Sequence, residues 1–209
     1  DIDTGGVLWL DAELLSWYNE SLSVLLSDRP ESSSLTETLP LVSGALQRIP
    51  AGGSRLLEVI CNMSGLVEGR VVRRVDRSDL DNENLNWMEA TQSAIIYRYA
   101  PSLTDPRTFY VYPPSNGTSS EIRIVFAAPP EKLLHSSPAE IDTSLGTAFQ
   151  LPAEYEAMVA NYILHRAFAK MAEKPEMEQR SISYLNMYKA GVQGQNMSMK
   201  QNNAVSRDA

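Results

Sequence analysis

Cysteine and histidine are scarce in this 209-residue chain, which has one of the first and two of the second. A single thiol forms no intramolecular disulfide and fits a reducing cytosol. Cys61 follows Val59 and Ile60, an apolar setting that reads as a buried, inert thiol. His135 and His165 lack partners at metal-ligand spacing, so no zinc site is expected. The acids Asp76, Asp79, Asp81 and Glu83 lack the central glycine and closing glutamate of an EF-hand loop. No run approaches the ~18 apolar residues of a membrane span. No signal-peptide pattern is visible either, and the sequons at Asn19, Asn62, Asn116 and Asn196 read as chance matches. P-loop, G-x-G-x-x-G and G-x-S-x-G motifs are missing. Positive charge is short as well: 18 Lys and Arg face 26 Asp and Glu, a net charge of −8. That balance argues against a free-standing nucleic-acid binder. An acidic wall can still line a conduit for DNA, because mild repulsion prevents sticking. The sequence therefore predicts no catalytic residue, no metal and no cofactor.

What is present is an apolar content of 43%, enough for a sizeable core. The stretch Leu151 to Gly191 reads as a helical hairpin. Pro152 suits a first turn, and Glu154 and Glu156 place acid at the positive end of the helix dipole. Tyr155, Met158, Val159, Tyr162 and Ile163 recur at i, i+3, i+4, i+7, i+8 and make one apolar face. Glu173-Lys174-Pro175 stops that helix. A second helix is expected over about Glu176 to Ala190, with Gly191 as its stop. Near the N-terminus, Asp11 reads as a helix cap, ahead of Leu14, Leu15, Tyr18, Leu22 and Leu25 at helical spacing.

Between these lies a β-rich stretch. Glu31 to Thr38 reads as a polar connection. Leu41–Ile49 and Arg55–Met63, joined by Pro50-Ala51-Gly52-Gly53, read as a hairpin. Val71–Val75 is a further extended piece, followed by a short helix or turn with Asp76 or Ser78 as its cap, and then by Trp87 in a polar surround. Strands are expected at Ser93–Tyr99, Thr108–Tyr112 and Glu121–Ala127, the last pairing back on the one before it. Pro129 to Gln150 reads as a connector. The resulting expectation is an α+β fold: a helical bundle over 1–38 and 129–194, an inserted antiparallel β domain over 39–128, and an extended, flexible C-terminal tail over 195–209.

Two surfaces attract attention. Arg70, Arg73, Arg74 and Arg77 form the one basic cluster, beside Asp76 and Asp79. The bland reading is a solvated face with balanced charge, the functional one an inter-subunit salt-bridge site. The aromatics Phe109, Tyr110 and Tyr112 suggest a base-stacking platform, but alternation puts Phe109 opposite the two tyrosines and no basic stripe accompanies them. Core packing accounts for them better.

The chain resembles the head-to-tail connector (adaptor) proteins of short-tailed bacteriophages. The resemblance is carried by Leu56-Leu57-Glu58-Val59-Ile60-Cys61-Asn62-Met63, by Gly69-Arg70-Val71-Val72-Arg73-Arg74-Val75-Asp76-Arg77, and by the Leu80…Trp87 segment. It also rests on Tyr97-Arg98-Tyr99-Ala100-Pro101…Phe109-Tyr110-Val111-Tyr112-Pro113-Pro114 and on Leu164-His165-Arg166-Ala167-Phe168. It implies a structural virion protein made in the bacterial cytoplasm and placed in the neck. There a homo-oligomeric, twelve-fold ring would join the portal protein to the tail tube or nozzle, with double-stranded DNA passing through and no membrane involved. On that reading Gln195, Asn196, Met197, Met199, Lys200, Gln201 and Arg207 of the polar tail are candidates for portal binding. Arg70, Arg73, Arg74, Arg77, Asp76 and Asp79 are candidates for the subunit interface. The alternatives are a tail-side completion or nozzle component, a nucleic-acid binder, and a hydrolase. The hydrolase requires His135 or His165 within hydrogen-bond reach of a serine hydroxyl in a concave pocket.

Overall fold

The structure, a computed structural model, describes residues 8–205, with side chains through Gly194. In chain order the elements are α1 (Asp11–Asp28), β1 (Ser34–Pro40), β2 (Gly44–Arg48), β3 (Arg55–Ser64), β4 (Val67–Val71), β5 (Arg73–Arg74), α2 (Arg77–Glu83), β6 (Arg98–Pro101), β7 (Thr108–Ser115), β8 (Glu121–Ala127), α3 (Pro138–Leu145), α4 (Glu156–Ala169) and α5 (Pro175–Val205). The fold is α+β, in two units. One comprises the residues up to Ser32 and those from Pro130 on; the other is Ser33–Pro129.

In the helical unit the apolar stripes do what their spacing predicts. Leu22 and Leu25 of α1, Met158, Val159 and Tyr162 of α4, and Tyr188 and Val192 of α5 bury one shared core. Polar ties add direction to it. The Tyr188 hydroxyl donates to Asp28 Oδ2 at 2.8 Å, and the Tyr162 hydroxyl donates to Glu20 Oε1 at 2.9 Å. Arg29 is buried, yet its Nε lies 2.7 Å from Glu31 Oε1, so its charge is paired.

Several local expectations shift here. Leu10, not Asp11, is the N-cap of α1, and its N–H donates to Glu13 Oε2 at 3.2 Å. The connector Pro129–Gln150 contains α3, whose start is a capping box. Ser137 Oγ accepts from the Glu140 N–H at 3.3 Å, and Glu140 Oε2 accepts from the Ser137 N–H at 3.1 Å. Gly191 does not stop the last helix. It takes no positive φ, and α5 runs on through Val205. A Cβ at Gly191 would lie 3.0 Å from Met158 Cγ, so glycine serves there to let α4 and α5 approach. The backbone over 195–205, expected as extended tail, is thus helical; the side chains from Gln195 on, and residues 206–209 altogether, lie outside the described residues.

The second unit holds two four-stranded sheets, in the orders β1-β8-β3-β4 and β2-β7-β6-β5. Val59, Ile122, Ile124 and Phe126 of the first sheet pack against Tyr99, Phe109 and Val111 of the second. Alternation along β7 and β8 thus gives each strand its buried face. Pairing departs from the local reading. β2 and β3 are no hairpin: β2 pairs with β7, whereas β3 pairs with β8 and β4. β8 pairs with β1 and β3 rather than with β7. The polar Glu31–Thr38 stretch supplies most of β1, an edge strand that needs no second apolar face. Ser93–Tyr99 contributes only its last two residues to β6, and the sheet is not wholly antiparallel, since β5 runs parallel to β6. Trp87 is 1% exposed despite its polar neighbours in sequence. It packs with Leu80, Ala45 and Ala100 over the outer side of the second sheet.

Candidate interaction surfaces

The strand register gathers the basic cluster. β5 lies beside β6, and β6 beside β7, with Arg73 opposite Arg98 and Arg98 opposite Tyr112. Directly opposed residues share a face, so Arg73, Arg98 and Tyr112 form one row across three strands. Arg70, from the end of β4, joins them with its guanidinium 4.6 Å from the centre of the Tyr97 ring. Arg70, Val71, Arg73, Tyr97, Arg98 and Tyr112 line a cleft of about 230 Å³. Arg73, Arg74 and Arg98 also border a shallower one of about 480 Å³, with Asp79 and Glu83 on its other side.

The six residues singled out in the sequence do not act as one set. Arg77 is committed locally: its guanidinium sits 4.8 Å from the Tyr110 ring centre, Nη1 donates to the Tyr110 hydroxyl at 3.2 Å, and Nε lies 3.6 Å from Asp81 Oδ2. Asp81 in turn accepts from Trp87 Nε1 at 2.7 Å. Asp76 is the N-cap of α2, and its N–H donates to Asp79 Oδ2 at 3.4 Å. These two acids therefore serve the helix start, where negative charge meets the positive end of its dipole, and pair with no arginine among the described residues. Arg70, Arg73 and Arg74 are exposed and likewise make no ion pair among the described residues. Arg74 does act at a distance: burial raises the Tyr99 hydroxyl above its ordinary value, and the Arg74 charge offsets part of that rise.

Arg98, Tyr97 and Tyr112 complete the cleft, although the sequence does not place them with the basic cluster. Arg98 Nη1 reaches both Glu83 oxygens, at 2.6 and 2.7 Å, which fixes its position in the cleft lining. No local signal marks these three residues, because the parallel β5–β6 contact brings them to Arg73.

The helical unit offers one arrangement that deserves a chemical test. His165 Nδ1 lies 2.9 Å from Ser181 Oγ and 3.1 Å from the Ser181 carbonyl oxygen, and Ser181 Oγ donates to the His165 carbonyl at 3.2 Å. The distance meets the first requirement of the hydrolase reading. The setting does not meet the second: Ser181 is 5% exposed inside the α4–α5 seam. No carboxylate reaches the His165 ring among the described residues. A hydroxyl bonded into the backbone of the facing helix is a tie between helices, not an accessible nucleophile. His135 Nδ1 contacts only the Leu133 carbonyl, at 3.3 Å. A cleft of about 400 Å³ beside α3, lined by Leu134, Ala139 and Thr143 among others, contains neither histidine.

Residues 1–208 match the model of a family described as SU10 adaptor protein. The chain belongs to that family. It is a family of bacteriophage head-to-tail adaptors, which makes this adaptor a structural virion protein. No curated protein matches the sequence. The candidate portal-binding residues Gln195, Asn196, Met197, Met199, Lys200, Gln201 and Arg207 of this adaptor have side chains outside the described residues. No described helix is long and apolar enough to cross a membrane.

Proposed function

We propose that the protein forms a twelve-fold ring in the phage neck, joining the portal to the tail and leaving a channel through which DNA passes without sequence-specific binding. The observation that carries this reading is the match to the adaptor family over residues 1–208. Two features agree with it. Each unit has its own apolar core, so each can present a surface to a different neighbour without depending on the other for folding. The net charge of −8 suits a wall that DNA slides past. Portal attachment is assigned to the C-terminal segment from Gln195, and lateral contact between copies to Arg70, Arg73 and Arg74.

The test is to mix the full chain with its cognate portal ring, image the product and count the subunits in the added layer. A stacked layer of twelve supports the reading. Absence of association, under conditions where the other neck proteins bind, moves the protein to the tail side of the virion. Deleting residues 195–209 is expected to abolish portal attachment; unchanged attachment removes the role given to that segment.

A further inference from the structure

The cleft at the β5 edge has a composition that names its occupant. Residues 33–129 hold nine arginines, no lysine, and ten acids, while the rest of the chain holds nine basic residues against sixteen acids. The acidic excess thus lies outside the stretch that contains the cleft. Within it, Arg70, Arg73 and Arg74 have exposed guanidiniums with no ion pair among the described residues. Arginine, tyrosine and an apolar fringe are what buried protein–protein contacts select, whereas lysine is depleted there. The fringe is present: Val71 lines the cleft and is 65% exposed, and the half-exposed Tyr97 ring lines it as well. A phosphate backbone has nothing to bury against those side chains, and a chain of net charge −8 repels DNA at long range. A carboxylate-bearing protein surface satisfies both halves of the site, with a planar guanidinium matched to a carboxylate.

We propose that this cleft receives carboxylate side chains of a second copy of the protein, drawn from outside residues 33–129. The chain itself supplies the complementary charge, since every copy that brings three unpaired arginines also brings an excess of acids. The inference rests on the ring reading above and specifies its lateral contact: Arg73 and Arg74 as the charge-bearing pair, Arg70 held over Tyr97 beside them, and Arg98 kept in place by Glu83. Asp76, Asp79 and Arg77 are left out of the contact.

The experiment uses the full chain on its cognate portal, with subunits counted per particle by imaging. Arg73→Glu/Arg74→Glu is compared with wild type and with Arg73→Lys/Arg74→Lys. The expected result is a full layer for wild type, partial occupancy for the lysine variant, and at least roughly a tenfold weaker lateral association for the charge-reversed variant. A urea midpoint equal to wild type for the reversed variant separates lost contact from lost folding. A charge-reversed variant that is folded and fills the layer as wild type does overturns this contact and leaves the ring intact. A folded variant that keeps its lateral association but loses binding to a 30-base-pair duplex reassigns the cleft to phosphate and also overturns it. If wild type forms no layer at all, the ring reading itself fails and the contact goes with it.

Discussion

Asn62 and Ile96 exchange two hydrogen bonds, each of 2.7 Å: the Ile96 N–H donates to Asn62 Oδ1, and Asn62 Nδ2 donates to the Ile96 carbonyl. The same Nδ2 also donates to the Arg70 carbonyl at 2.8 Å. One side chain from β3, 6% exposed, therefore holds the chain entering β6 and the end of β4. Both flank the basic cleft. A side amide matches the backbone's own donor and acceptor, which is why asparagine serves at a point where no strand is in register to do so.

Asn62→Ala leaves the buried N–H and carbonyl of Ile96, and the partly buried carbonyl of Arg70, without their side-chain partner. Unsatisfied groups of this kind cost about 1–3 kcal/mol each, so a loss of roughly 2–4 kcal/mol is expected in urea unfolding followed by fluorescence. An unchanged midpoint would show that other groups take over the role of the amide.

Gly191 and Met158 are expected to be energetically coupled. Gly191→Ala gains up to about 1 kcal/mol of helix propensity and loses a similar amount by displacing Met158, so its net effect is small. Gly191→Leu overfills the seam and costs about 1–3 kcal/mol. Part of that loss returns when Met158→Ala is added, and strict additivity across the double-mutant cycle would refute the contact.

Burial is the largest cause that raises the Tyr188 hydroxyl well above the ordinary tyrosine value of 10.0, and its bond to Asp28 adds to this. Tyr162 is raised in the same direction by burial and by Glu20. Below the ordinary value both phenols are neutral in the folded and the unfolded chain, and their contribution to stability is fully present. As pH rises above it, the unfolded chain releases these protons and the folded one holds them, so stability falls. Thermal unfolding measured from pH 8 to 11 should show that decline, and it should be shallower in Tyr188→Phe.

Ser181→Ala removes a tie between α4 and α5 and should cost about 1 kcal/mol, the usual net worth of such a bond. A serine-directed fluorophosphonate is expected to leave wild type unlabelled, because the hydroxyl is buried and no carboxylate orients His165. Stoichiometric labelling at Ser181 would restore the hydrolase reading.

How much of this was legible in the sequence depends on distance along the chain. The α4 stripe from Tyr155 to Tyr162 and the opposed faces of Phe109 and Tyr110 were readable, because each is a property of a few consecutive residues; the cap of α2 was narrowed only to Asp76 or Ser78. Even α3 carries a local signal, Ser137-Pro138-Ala139-Glu140, but the proline- and serine-rich surroundings mask it. The cleft was half legible: four arginines stood out, but not which of them were free. Arg77 is committed to Asp81, four residues on in the same helix, and to Tyr110, and the second of these contacts could not be seen before β7 was placed.

The sequence by itself determined which sequence motifs are missing, the helical faces and the positions of most strands, since composition and periodicity are local. Only the tertiary structure decided which strand pairs with which, that Trp87 is buried and that Arg98 completes the cleft. Those outcomes depend on residues far apart in the chain, such as Leu35 opposite Phe126 and Leu46 opposite Tyr110. An apolar run of strand length fits several partners equally well, and the choice among them is made when both sheets bury their inner faces against each other.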